Sequence, residues 1–387
     1  MTDVFVIAQG GGPTAVINQT VAGAVIEARR RYPGAKVLGA RHGVRGLRKD
    51  DFIDLSALSD ADLMRFAATP SAGLGSTRDK PDEAYCADIL AALRRASARA
   101  FIYIGGNDTS STLQILDAAA GGDMAFMHAP KTIDNDLVEN DHTPGFISAA
   151  WFVAAAFLSI DLDFRAMPGI YVAIVMGRHA GFLTAASAAW RRDDSDGPHL
   201  IYVPERAFST RRFVDDIARV RDRYGRCTVA MSEGVHGADG KAVVERLLGD
   251  RVERDAHGNV RLAGGDLGVA VQGALDEAFP KIRSRVDTFG YMPRGFITMA
   301  SDVDRREAFD AGALAVAESS KGSASVAIQY DGAATVLRTV PLEAVAAKTR
   351  LMPSEFLTAE GTALAADGLA YFNRLVPKAP DTFPPFL

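Results

Sequence analysis

Cysteine is nearly missing from this chain of 387 residues: Cys86 and Cys227 are the two, and neither belongs to a metal motif. With no secretory segment in view, reduced thiols in the cytoplasm are expected and a disulfide framework is not. An excess of one charge is missing too. A net charge of −5 offers no basic field for nucleic acid. The longest strongly apolar region, Ala149 to Ile160, is too short to span a bilayer, so a buried helix is expected there and no membrane partner. The start, MTDVFVIAQGGG, puts no basic residue before its apolar run and reads as a strand entering a glycine turn rather than a signal peptide. No repeat of solenoid length is visible. What remains is a globular chain longer than one core usually supports, so two domains are expected.

What the chain does have is a series of apolar runs that end in glycine and polar residues. Met124 to His128 reads as a buried strand ending at Ala129-Pro130-Lys131-Thr132-Ile133-Asp134-Asn135-Asp136-Leu137, a loop with one lysine and two carboxylates. Open α/β sheets bind ligands beyond the carboxyl ends of their strands. Asp134 can there accept a proton while Lys131 holds a negatively charged group beside it. Taken alone, the same D-N-D is better read as a polar turn closed by an Asx hydrogen bond.

Three further stretches favour chemistry. Val4 to Ala8 ends at Gln9-Gly10-Gly11-Gly12-Pro13, followed by helical spacing from Thr14, a candidate N-cap, to Arg31. Bare backbone amides and a helix dipole suit a phosphate there. A plain tight turn fits equally well, because the spacing matches neither the dinucleotide fingerprint nor the P-loop. Gly73-Leu74-Gly75-Ser76-Thr77-Arg78-Asp79-Lys80-Pro81 sets Arg78 and Lys80 among small neighbours, with room for a polyanion that arginine grips bidentately. Ala100 to Ile104 runs into Gly105-Gly106-Asn107-Asp108-Thr109-Ser110. A carboxylate is unusual in such a phosphate turn, because the bare amides of the helix N-terminus would otherwise welcome a phosphate there: Asp108 caps the helix, holds a metal, or excludes one phosphate of a longer donor.

Elsewhere the rhythm is strand, loop, helix. Strands are expected at Lys36 to Ala40, Ile170 to Val175, His199 to Val203 and Cys227 to Met231, with β-like runs at Ser323 to Tyr330 and Ala334 to Val340. Helices are expected from Ser59, by capping-box spacing, and at Pro81 to Arg99, Pro144 to Ile160, up to Trp190, Ser209 to Tyr224, Leu267 to Phe279 and Ser301 to Ser319. The basic loop Arg41 to Lys49 reads as a solvated rim, and His179 as structural. Met176-Gly177-Arg178 and Ser232-Glu233-Gly234 each follow a strand, and arginines frame the strand and turn from Arg283 to Gly295. Val235 to Gly265 reads as a surface excursion with a turn at Asp255 to Asn259, and the tail Lys378 to Leu387 as extended surface chain.

In order and spacing, GGGPTAVIN, GLGSTR, GGNDT, PKTIDND, MGR, SEG and RVDTFGYMPRG resemble the phosphofructokinase family, from Val4 to about Ser320. GG-x-x-T occurs in other kinases, whereas TIDND followed by MGR points to this family. Asp108 and Lys131, where ATP users carry glycine, resemble its pyrophosphate-dependent branch. The resemblance implies two Rossmann-like three-layer α/β domains with the active site in the cleft between them. Residues 1–143 with about 292–345 would take pyrophosphate, 144–291 the sugar phosphate, and 346–387 would be a C-terminal extension. It implies reversible phosphoryl transfer from pyrophosphate to the 1-hydroxyl of fructose 6-phosphate, with Asp134 as base and Lys131 and Asp108 beside it.

The resemblance further implies diphosphate on Gly11, Gly12 and Arg78, and Mg2+ on Asn107, Asp108 and Asp136. Thr132, Asp134, Met176, Gly177, Arg178, Glu233, Arg285, Tyr291 and Arg294 would meet the sugar phosphate. Arg285 would reach it from a neighbouring subunit, so a homodimer or homotetramer is expected. Three positions depart from the family pattern: Asn107 replaces an aspartate, Tyr291 a histidine, and Gly169 a second cross-subunit arginine, for which Arg165 is the candidate substitute. Were Asp108 enclosed against the α-phosphate of ATP, two like charges at about 4 Å and a dielectric of about 20 would repel by roughly 4 kcal/mol. An ATP-dependent member is the alternative reading. An inactive sugar-phosphate sensor is another, and a retained Asp134 argues against it.

Overall fold

The computed structural model describes residues 2–248 and 266–381. The turn expected at Asp255 to Asn259 and the last part of the tail therefore lie outside the described residues. The chain forms two compact units, Met1–Ala149 with Arg294–Arg350, and Ala150–Pro293 with Leu351–Leu387.

The first unit opens with β1 (Val4–Gln9), α1 (Ile17–Arg31), β2 (Lys36–Ala40), α2 (Val44–Leu47) and β3 (Phe52–Asp54). It continues with α3 (Asp60–Ala68), α4 (Glu83–Arg95), β4 (Ala100–Gly105), α5 (Asn107–Ala120) and β5 (Ala125–Pro130). Burial on both faces explains the unbroken apolar run of β1. Phe5 and Ile7 enter a core layer with Ile17, Val21 and Val25 of α1, while Val6 and Ala8 enter another with Leu90 and Leu93 of α4 and Leu113 of α5. A parallel strand covered on both sides has no face left to be polar. Each fully buried Phe or Ile contributes about 1.5–3 kcal/mol relative to exposure, so these two layers hold the unit together.

Local signals succeed and fail for visible reasons. Ser59 caps α3, accepting from the Asp62 N–H and donating to its carboxylate. Thr14 caps nothing: α1 begins at Ile17, and the Thr14 hydroxyl instead accepts from the Val16 N–H. The basic loop after β2 is no loose rim, because Val44 and Leu47 are buried and Arg45 and Arg48 pair with Asp79 and Asp88.

The boundary between the units falls inside α6 (Phe146–Ala166). At 21 residues it outruns the apolar stretch seen in the sequence and is long and apolar enough to cross a membrane. However, 56% of its most apolar window is buried inside the protein, and Phe152 and Phe157 meet the Phe289 ring edge-on. We read it as a core helix.

The second unit continues with β6 (Ile170–Val175), α7 (Phe182–Ala185), β7 (Leu200–Tyr202), α8 (Thr210–Tyr224), β8 (Cys227–Ser232), α9 (Val243–Leu248), α10 (Asp266–Ala278) and β9 (Ser284–Thr288). Its strands are all parallel, in the order β7-β8-β6-β9. The helix expected up to Trp190 is only α7 and a 3-10 turn, Ala186–Ala188. Beyond Arg294 the chain adds α11 (Asp302–Glu318), β10 (Ala324–Tyr330), β11 (Thr335–Val340) and α12 (Leu342–Val345) to the first unit, and α13 (Ala366–Leu375) to the second. β10 joins beside β5 in parallel and completes a sheet ordered β11-β10-β5-β4-β1-β2-β3. Both units are thus α/β: the second has an all-parallel sheet, and the first has a parallel centre edged by the antiparallel strands β3 and β11.

Two glycines let α1 and α11 touch backbone to backbone. A Cβ on Gly23 would lie 1.9 Å from the Phe309 carbonyl oxygen, and one on Gly312 would lie 1.9 Å from that of Thr20. Gly312→Ala is expected to push the helices apart and destabilise by about 1–3 kcal/mol. Urea unfolding measures this, and an unchanged midpoint would contradict the close approach.

Candidate active site

β1, β4 and β5 are neighbours, with Gln9 opposite Ile104 and Gly105 opposite Pro130. The register sets the Gly10 to Gly12 loop, the Gly106-Asn107 turn and the loop from Lys131 to Asp136 side by side at the carboxyl ends of the strands, where such sheets bind ligands. The Gly10 N–H donates to the Ile104 carbonyl at 2.8 Å and the Lys131 N–H to that of Gly105 at 3.0 Å. His128, buried within β5, adds a side-chain tie: its Nε2 stands 2.9 Å from the Gly105 carbonyl and its Nδ1 2.8 Å from the Ser325 hydroxyl. Burial pushes this imidazole down to about 4. It is neutral, donating from Nε2 and accepting at Nδ1.

The glycine loop works through the space it leaves. The Gly11 N–H is engaged by the Thr77 carbonyl at 2.9 Å and the Gly11 carbonyl by the Ser76 hydroxyl at 2.6 Å, so bare amides are not the main offer. Instead, Lys131 donates from Nζ to the Gly12 carbonyl at 2.8 Å. A Cβ on Gly11, whose φ is +73°, would lie 3.3 Å from that Nζ, and one on Gly12 would lie 3.1 Å from Cζ of Arg294. Two cations close on the loop because it carries no side chains.

Lys131 is only 3% exposed. Burial pushes its ammonium down to about 7; Arg294 and Arg78 push the same way, while Asp134 and Asp136 oppose them. Four charged groups of the first unit therefore act on one amine. Arg294, expected on the sugar phosphate, stands against Gly12. Arg78 is exposed, and no hydrogen bond or ion pair holds it among the described residues. Its neighbour Asp79 anchors the segment through Arg45, whose guanidinium holds that carboxyl at about 2.

The D-N-D turn is closed by a threonine. The Asp134 N–H donates to the Thr132 hydroxyl at 3.1 Å, and Asn135 takes φ +57°, a conformation asparagine tolerates. Arg350 braces the far side, its N–H on the Asp136 carbonyl at 2.8 Å and its guanidinium on that of Asp141 at 2.7 Å. Asn107 donates from Nδ2 to the Asp136 carboxylate at 3.0 Å, leaving its own Oδ1 buried without a hydrogen-bond partner. Such an orphan costs about 1–3 kcal/mol, and a cation would relieve it. Among the described residues no group of three or more His, Cys, Asp or Glu could hold a metal. Asn107 and Asp136 therefore fit a hard, oxygen-seeking ion whose shell is completed by oxygens of a bound ligand.

Asp108 does not join them. Its carboxylate lies 3.4 Å from Lys80 and its side chain is 66% exposed, and the helix cap is Gly106, with Asp108 inside the first turn. A paired charge in water is screened, so the enclosed clash of several kcal/mol expected of it does not arise.

In the second unit, Met176, Gly177 and Arg178 follow β6, and Glu233 follows β8. The Ser232 hydroxyl donates to the Gly177 carbonyl at 2.5 Å, and a Cβ on Gly234 would lie 2.0 Å from the Arg178 carbonyl oxygen, so the two turns touch through backbone. Arg285 is elsewhere. It pairs with Tyr171 in register, four residues before Val175, which places it about 13 Å along the sheet from that end. Its guanidinium is held by Asp287 at 2.7 Å. Tyr291 lies beyond β9 and is 57% exposed. Arg165 is no substitute for the arginine lacking at Gly169, because Asp161 and Asp196 bind it at 2.8 and 2.7 Å.

A near-neutral lysine in a cluster of arginines should bind anions in a pH-dependent way. An anion favours the charged amine, so affinity is expected to fall as pH rises above about 7, by at most about tenfold per unit. Calorimetry with sulfate, which does not titrate in this range, measures the slope. Lys131→Met should flatten it, and a wild-type affinity independent of pH between 6 and 9 would contradict the assignment.

The phosphofructokinase family profile matches residues 4–318. The chain is 49% identical to the pyrophosphate--fructose 6-phosphate 1-phosphotransferase of Rhodospirillum rubrum, covering 98% of this chain and 95% of that protein. Identity is 34% to the protein of that name from Xanthomonas campestris, with 95% and 90% covered. The solved pyrophosphate-dependent phosphofructokinase of Nitrosospira multiformis superposes with a TM-score of 0.87 at 27% identity, covering 100% of this chain and 94% of that one. Strand order, glycine loop and TIDND turn thus agree with a match that spans most of the sequence: this chain belongs to the phosphofructokinase family.

Proposed function

We propose that the protein transfers a phosphoryl group reversibly from pyrophosphate to the 1-hydroxyl of fructose 6-phosphate, giving fructose 1,6-bisphosphate and phosphate. The observation that carries this reading is the buried Lys131 ammonium resting on the Gly12 carbonyl, with Arg294 and Arg78 close enough to lower its pKa. Three cations around a loop free of side chains suit a short, highly charged donor with no nucleoside to anchor it. The names of the relatives support the same donor.

Phosphoryl transfer depends on positioning and charge neutralisation more than on covalent help. The sugar oxygen bonds to the terminal phosphorus, the bridging P–O bond breaks, and the hydroxyl proton passes to Asp134. An ordinary carboxylate, with a pKa of ~3.9, is a weak base, so the proton moves late, as the new bond forms. Lys131 and Arg78 offset charge on the diphosphate. Enzymes of this family generally use magnesium; the Asn107 oxygen and the Asp136 carboxylate would hold it, and it would neutralise diphosphate charge. Met176, Gly177, Arg178, Glu233, Tyr291 and Arg294 would receive the sugar phosphate.

A second reading, ATP as donor, has one observation in its favour: Asp108 is exposed and paired with Lys80, so it walls off no space. The deciding measurement is kcat/KM with each donor. Pyrophosphate is expected to win, and Asp108→Gly should shift the ratio toward ATP by less than about tenfold, as for an exposed ion pair. A wild-type preference for ATP would overturn the donor. In the same assay Asp134→Asn should lose ~10²–10⁴-fold in kcat, and near-normal turnover would remove Asp134 from its role.

We also propose an active homo-oligomer. Arg285 lies far along the sheet from Arg178 of its own chain, and Tyr291, Met292, Phe296 and Ile297 present an exposed apolar stretch beside it in sequence, suited to a second copy. Sedimentation of fully active enzyme as a monomer would refute this.

A further inference from the structure

Behind the loop from Lys131 to Asp136 lies a buried ionic assembly that no step above uses. His142 is fully buried, with Nδ1 2.7 Å from the Asp141 carboxylate and Nε2 2.7 Å from that of Glu307. One turn earlier on α11, Asp304 accepts from the Gly145 N–H at 2.8 Å, the Ser148 N–H at 3.0 Å and the Ser148 hydroxyl at 2.5 Å. The two amides belong to the start of α6, so Asp304 serves as a cap supplied from another helix. Two carboxylates one turn apart on α11 thus hold the segment 141–148, which directly follows the reacting loop. The tie to that loop is short: the Thr143 hydroxyl donates to the Thr132 carbonyl at 2.8 Å, and Thr132 and Gly145 form a β-bridge.

From this geometry we infer that His142, held as an imidazolium between Asp141 and Glu307, is a positioning residue that fixes the distance of Thr132 and Asp134 from the reacting centre. Both ring nitrogens face carboxylates, so both must donate, which requires the charged ring. Burial opposes that charge, but the hydrogen bonds to Asp141 and Glu307 outweigh it and raise the ring to about 9. The charged groups facing the ring are Asp141 on its own loop and Glu307 on α11; Arg350 engages the Asp141 carbonyl from the other side. With a folded pKa above its unfolded value of about 6.5, the ring's contribution to stability is complete below about pH 6.5 and is lost as pH rises through about 9.

The inference rests on the phosphotransferase reading only for its kinetic readout. The experiment compares wild type, His142→Gln and Glu307→Gln by kcat and KM with pyrophosphate and fructose 6-phosphate from pH 6 to 10, and by amide hydrogen exchange of the segment 131–145. His142→Gln should lower kcat at least about tenfold with KM for pyrophosphate changed less than about twofold. Glu307→Gln keeps an acceptor but loses the charge, so it should move the alkaline fall of kcat to lower pH by about one unit. In both variants segment 131–145 should exchange at least about tenfold faster than in wild type. Variants with only a lower melting temperature, unchanged kcat and an unmoved alkaline limb would overturn the inference. Unchanged exchange in 131–145 would overturn it whatever the substrate proves to be. If His142→Gln does not fold, Glu307→Gln alone decides between these outcomes.

Discussion

A single contact, the Lys131 ammonium on the Gly12 carbonyl, makes the two loops of the proposed donor site depend on each other. A buried cation needs an acceptor, and this carbonyl is reachable only because Gly11 turns the chain at φ +73° and adds no Cβ under the amine. The sheet makes the contact possible in the first place. β1 and β5 flank β4, so loops distant in sequence emerge a strand or two apart. The contact is also conditional, because an amine titrating near 7 holds its carbonyl strongly only while protonated. An incoming polyanion would strengthen the arrangement it meets.

Charge around that amine is balanced rather than maximised. Burial, and after it Arg294 and Arg78, weaken its hold on the proton, and Asp134 and Asp136 oppose them. Asn107 fits this balance. A carboxylate in its place would add a third negative group near a site proposed to take a polyanion, whereas the amide ties down one oxygen of Asp136 and still presents a buried oxygen of its own. The departure from the family pattern noted in the sequence thus has a local physical rationale.

The strands that carry the site were legible because both of their faces are buried. β1, β4 and β5 consist almost wholly of apolar residues, and the polar break at each end marks where the sheet stops. The grouping of Lys131 and Asp134 followed from their closeness in sequence. What stayed hidden comes from distant parts of the chain. Nothing near Asp141 announces that Arg350 or Glu307 will reach it or its neighbour, since those partners lie 209 and 165 positions away. Asp108 shows the limit of local rules, because its neighbour in space, Lys80, turned an expected repulsive element into half of an exposed ion pair. α6 ran past its apolar core because Asp161 and Arg165, which look like a polar ending, pair with each other and with Asp196 and Arg226 in a partly buried cluster.

The glycine contact between α1 and α11 has a meaning beyond packing. The glycine loop leads into α1, and the carboxylates that hold the segment after the TIDND turn sit on the first turns of α11. Where two helices meet without side chains between them, neither can slide or tilt by a fraction of a side chain's width, so the pair behaves as a common datum. The loops proposed to hold the donor and the base are both measured from it, one at each helix's leading end. A drift in either glycine would therefore act as an error of alignment, displacing one loop relative to the other while changing none of the residues they carry.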